Sequence, residues 1–94
     1  MPSWKKVVVS GSAAALPSVS TAADFTIDAG GDIVLDADGA DILLKDNGTT
    51  FGRFRRDTSN LVIKSETSNK DMLFKGNDGG ATITALTLDM SEAG

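Results

Sequence analysis

Ile33-Val34-Leu35-Asp36-Ala37-Asp38-Gly39-Ala40-Asp41-Ile42-Leu43-Leu44-Lys45-Asp46-Asn47-Gly48 contains one short phrase twice: apolar, any residue, apolar, charge. Each copy is followed by a cluster of Asp, Asn and Gly. Upstream the phrase occurs as Phe25-Thr26-Ile27-Asp28. Downstream it returns as Leu61-Val62-Ile63-Lys64 and Met72-Leu73-Phe74-Lys75, and last as Leu86-Thr87-Leu88-Asp89, preceded by Ile83. The first three starts are eight and nine residues apart, and later ones about ten. Apolar residues recur at i and i+2 rather than at i+3 and i+4, which is strand periodicity. No helix is expected beyond Ala15, and a turn of helix through Ala13–Leu16 would be too short to stand alone.

Between the runs lie Ala29-Gly30-Gly31-Asp32, Asp38-Gly39, Asp46-Asn47-Gly48, Thr58-Ser59-Asn60, Ser68-Asn69 and Gly76-Asn77-Asp78-Gly79-Gly80. Gly, Asn and Asp tolerate the positive φ of tight turns. Short strands at this spacing predict an all-β chain. Phe51 and Phe54 break the alternation, because residues three apart in a regular strand face opposite ways. Either Gly52 marks a bulge that brings both inward, or one phenylalanine is exposed.

A run of about nine residues makes one wall and a corner, whereas a coil of a single-chain solenoid needs ~20 residues or more. Three chains would supply three walls. The pattern therefore predicts short repeated strands in an elongated, intertwined trimeric β-helix or β-prism, closed by cyclic symmetry. The competing geometry is a meander of hairpins folded into a monomeric sandwich, for which Ala37–Asp41 is a poor core donor. The expected shared core is Phe25, Ile27, Ile33, Leu35, Ile42, Leu44, Phe54, Leu61, Ile63, Met72, Phe74, Ile83, Leu86 and Leu88. Residues 1–11 read as a docking strand, 12–24 as a Ser/Ala/Thr-rich linker around Pro17, and 25–94 as the repetitive β segment.

Composition narrows the function. The chain has 94 residues, no Cys, no His, no Tyr and one Trp. Ser–His–Asp and Cys–His catalysis are excluded, as are zinc-ribbon and iron–sulfur centres. A net charge of −4 argues against nucleic acid as a partner. No apolar run approaches the ~20 residues of a membrane span. Met1–Gly11 has two lysines followed by only three valines. That is short of the ~7–15 apolar residues of a signal peptide, so no secretion route is expected.

The order of these blocks resembles the fibre-like structural proteins of tailed marine phages, especially cyanophages. The similarity lies in Met1-Pro2-Ser3-Trp4-Lys5-Lys6-Val7-Val8-Val9-Ser10-Gly11-Ser12, in Thr26–Ile42, in Gly48-Thr49-Thr50-Phe51-Gly52-Arg53, in Leu61-Val62-Ile63-Lys64-Ser65 and in Thr82–Met90. The resemblance implies a virion structural protein made in the host cytoplasm. It would be a tail or neck fibre segment, a homotrimer with its N-terminal end docked to other virion proteins. Such proteins often run on past Ser91-Glu92-Ala93-Gly94 into tip domains, so the reading extends to a spacer and attachment piece rather than to a receptor reader.

The candidate chemical sites are few. Asp24, Asp28, Asp32, Asp36, Asp38, Asp41 and Asp46 match neither the EF-hand nor the calcium nonapeptide pattern, and read as turn formers and solvating charges. No metal or cofactor is expected. Phe51-Gly52-Arg53-Phe54-Arg55-Arg56 reads as two core phenylalanines with arginines outside, pairing with carboxylates of a neighbouring chain, rather than as a strand-binding patch. Asn47-Gly48-Thr49 matches the glycosylation acceptor but is a stronger turn signal. Trp4, with Lys5 and Lys6, is either an anchor in a partner's pocket or packed in its own strand. A carbohydrate- or cation-binding β-module is the alternative function, and a carboxylate-pair glycan hydrolase ranks last because the chain has little bulk to wall a cleft.

Overall fold

The computed structural model describes Gly11 and residues 13–92. The chain divides into two units, 1–33 and 34–94. The described residues of the first unit have bends at Pro17, Ala22–Ala23 and Gly30–Gly31 and no regular element. Thr21 Oγ1 accepts a hydrogen bond from the Ala23 amide at 3.2 Å. The one-turn helix near Ala13–Leu16 does not form.

The second unit is built of antiparallel hairpins. β1 (Asp41–Asp46), β2 (Thr49–Asp57) and β3 (Asn60–Ser65) form a sheet in the order β1-β2-β3, and β4 (Met72–Asp78) pairs with β5 (Ala81–Leu88). A single 3₁₀ turn at Met90–Glu92 follows, a helical element the strand periodicity did not signal. The expected all-β class holds at this level. The hairpins are those of the competing meander, but the core of a sandwich is missing: Gly52 is the one buried residue among those described.

All three hairpins close on two-residue loops with positive φ at both positions: Asn47 (51°) and Gly48 (84°), Thr58 (50°) and Ser59 (74°), Gly79 (60°) and Gly80 (98°). That is the geometry whose twist matches the flanking strands. The turns at Asn47-Gly48 and Thr58-Ser59 lie where expected. In the last hairpin Gly76, Asn77 and Asp78 continue β4, and only Gly79-Gly80 turns.

Two expected strands are absent. Phe25–Asp28 and Ile33–Asp36 form no regular element and belong to no ladder. Ile33–Asp36 has a local reason. Folding it back on β1 across Ala37–Ala40, with apolar residues on one face, would set Asp36 opposite Asp41. Like charges directly opposed destabilise a sheet.

Both sheets carry a bulge at the same place in the pattern. Leu44 pairs with Gly52 and Lys45 with Thr50, so Phe51 is the extra residue. Phe74 pairs with Leu86 and Lys75 with Thr84, so Ala85 is the extra residue. The bulge expected beside Gly52 is present. It does not bury the phenylalanines, since Phe51 is 49% and Phe54 38% exposed.

Candidate assembly surface

Cross-strand partners share a face. The registers therefore place Ile42, Leu44, Gly52, Phe54, Leu61 and Ile63 on one face of the first sheet. Met72, Phe74, Ile83, Leu86 and Leu88 share one face of the second. The two bulges produce this sorting. A regular hairpin closed at Asn47-Gly48 would pair Ile42 with Arg53 and Asp41 with Phe54. The extra residue shifts the register so that Ile42 meets Phe54 and Asp41 meets Arg55. In the second hairpin the same shift pairs Phe74 with Leu86 and Met72 with Leu88.

The described residues leave these faces largely open. Leu61 is 77% exposed, Ile63 51%, Phe74 50% and Leu86 51%. A sheet buries one face to be stable, and a chain with no core lacks the main favourable term in folding. Covering the exposed part of each such side chain contributes on the order of 1 kcal/mol.

The opposite face of the first sheet is charged. Asp41 Oδ1 and Oδ2 accept hydrogen bonds from Arg55 Nη1 at 3.0 and 2.9 Å, and Arg53 Nη1 lies 3.2 Å from Asp41 Oδ2. The Arg55 hydrogen bond, then the charges of both arginines, hold the Asp41 carboxyl below its ordinary range. Arg53 stands directly opposite Lys64, a like-charge pair. Glu66 Oε1 relieves it, 2.6 Å from Arg53 Nε and 3.4 Å from Lys64 Nζ. The Arg53 N–H is not aimed at that oxygen, so the contact is an ion pair and not an aligned hydrogen bond. Partial burial alone would pull the Arg53 guanidinium down, but the Glu66 and Asp41 carboxylates outweigh it and hold it above its ordinary value. Arg53 and Arg55 thus pair with carboxylates of their own chain. Asp41, a turn former by its sequence setting, is instead the first residue of β1, and its pairing with Arg55 needs the bulge. Leu43, Val62 and Leu73 also lie on the faces opposite the apolar ones.

Ten of the fourteen expected core residues lie on the two apolar faces; Phe25, Ile27, Ile33 and Leu35 lie on segments outside any ladder, 53–63% exposed. Trp4, Lys5 and Lys6 fall outside the described residues. An open groove of about 630 Å³ follows the apolar side of the first sheet, lined by Leu35, Ile42, Phe54, Arg56 and Leu61 among others. A smaller one, about 290 Å³, lies among Ile63, Met72 and Met90. Near it Asp71 Oδ1 accepts a hydrogen bond from the Met90 amide at 3.1 Å. Hydrogen bonds from the Ser91 hydroxyl and amide hold the neighbouring Asp89 carboxyl low. Among the described residues no group of three or more acids gathers as a metal site would require. No helix is long and apolar enough to cross a membrane, which leaves strand-built spans untouched.

No protein-family model, curated protein or solved structure matches the chain.

Proposed function

We propose that the chain is a non-enzymatic structural segment that works as a homo-oligomer, a trimer on the rung argument. The observation that carries this reading is the pair of amphipathic sheets whose apolar faces the described residues leave largely open. Copies of the same surface are the economical partner, because closed symmetry buries every copy's apolar face at once. The resemblance to phage fibre proteins gives the assembly a setting: a tail, neck or fibre position in a virion, with the N-terminal end docked to other virion proteins. The role is mechanical, spacing and attachment, with no cofactor, nucleic acid or membrane involved.

Mass in solution, by light scattering or native mass spectrometry, tests this. A stable species of three chains is expected. A monomer that unfolds cooperatively would overturn the reading and favour a free-standing β-module. Glycan binding by that monomer would then support the carbohydrate alternative.

A further inference from the structure

We propose that the run Ile33–Asp36 of one copy pairs, parallel and in register, with the free edge of β1 of a second copy, setting Asp36 beside Lys45. The inference rests on the self-assembly reading and specifies how two copies join.

The short phrase comes in two charge forms. The runs without a strand partner, Phe25–Asp28 and Ile33–Asp36, end in Asp. Three strands with an open edge, β1, β3 and β4, carry Lys at the matching position, Lys45, Lys64 and Lys75, while β5, also open on one side, is followed by Asp89. Lys64 already has Glu66 at 3.4 Å. Among the described residues neither Asp36 nor Lys45 has an ion-pair partner.

Backbone polar groups supply the second argument. Among the described residues, 32–37 lie in no ladder and no regular element, and β1 is bonded on one side only, to β2. An extended segment and an open edge satisfy one another by strand addition.

Direction follows from charge and face together. In parallel register Ile33 meets Ile42, Val34 meets Leu43, Leu35 meets Leu44 and Asp36 meets Lys45. Ile33 and Leu35 then extend the apolar face, and Asp36 joins the charged one. The antiparallel register that keeps those faces and overlaps both apolar pairs sets Asp36 against Asp41, which Arg53 and Arg55 already hold. Opposite charges across strands stabilise and like charges destabilise.

The chain's own β1 is excluded as the partner. Parallel strands need a crossover of about a dozen residues or more, and only Ala37–Asp41 intervene. A second copy has no such limit. Because β1 is the next run along the chain, each copy gives one run and receives one, a head-to-tail contact that makes a ring where the rotation per copy closes and a filament where it does not.

The test uses the absence of native cysteine. Asp36→Cys and Lys45→Cys chains are mixed, refolded together and oxidised, with native mass spectrometry run on the same samples. Neighbouring strands place the two Cα atoms about 4.8 Å apart, within disulfide reach. A disulfide between the two different chains is expected, with little linking in either variant alone or in the Val34→Cys and Lys45→Cys mixture. An assembly that forms without this link, or that links Asp36→Cys to Lys75→Cys instead, overturns the pairing and leaves self-assembly standing. A sample that stays monomeric overturns the self-assembly reading and this pairing with it.

Discussion

Gly52 sits where β1, β2 and β3 come together, and a Cβ there would meet the Lys64 carbonyl oxygen at 3.3 Å and Leu44 Cδ1 at 3.7 Å. The first contact is with backbone, so the adjacent strand must shift to admit a methyl group. At the matching position of the second hairpin stands Leu86, with no third strand beside it. Gly52→Ala is expected to destabilise by ~1 kcal/mol and Gly52→Val by more, as overpacking does; denaturant midpoints would show it. Thr58 and Ser59 carry the opposite lesson. Both have positive φ without being glycine, at a cost of roughly 1 kcal/mol or more each. Thr58→Asn with Ser59→Gly supplies the residues this turn favours, so a gain of ~1 kcal/mol is expected in the same measurement. Asp41 adds a pH dependence. Its carboxyl titrates lower in the folded chain than its ordinary 3.8, so its contribution is complete above that value. The contribution is lost as pH falls through the lower, folded value. The midpoint of Asp41→Asn should therefore lie below that of the natural chain at neutral pH, with the gap closing in acid below 3.8. A gap that persists at pH ~2 would mean the effect is not ionic.

At the scale of the elements, the two bulged hairpins are versions of one device. Each runs apolar–Leu–apolar–Lys into a positive-φ turn, returns through Thr, and drops one residue out of register. Bulges strengthen local twist and re-aim the side chains beyond them. Here the re-aiming collects the apolar residues on one side. If those sides are the surfaces through which copies meet, a charge placed there should act on assembly more than a charge on the reverse face. Phe74→Glu is expected to reduce the oligomer to monomer, while Thr87→Glu, on the opposite face of the same hairpin, should leave the mass unchanged. Size-exclusion chromatography with light scattering reads both, and equal effects from the two would retire the face assignment.

For the whole molecule, if copies cover these faces, stability is expected to depend on the chain's own concentration, because apolar burial would arrive with the partner. The N-terminal reading belongs here too. Trp4→Ala is expected to keep the β region folded and assembled while removing attachment to the particle, scored by incorporation into virions; unchanged incorporation would sink the anchor. Much of this was legible along the chain. The i, i+2 spacing, Asn47-Gly48 and the phrase around Ile42, Leu61 and Met72 mark strands and turns through local preferences that need no distant contact. The same preferences overreached at Phe25 and Ile33, since a strand exists only when something pairs with its backbone. Turn chemistry alone would also have set Asp41 against Phe54. Only the three-dimensional structure, with Phe51 and Ala85 stepping out of the ladders, decided that Ile42 meets Phe54 and that Asp41 meets Arg55. The reason is physical: a one-residue slip exchanges the faces of every side chain beyond it, and no local preference chooses between the two registers.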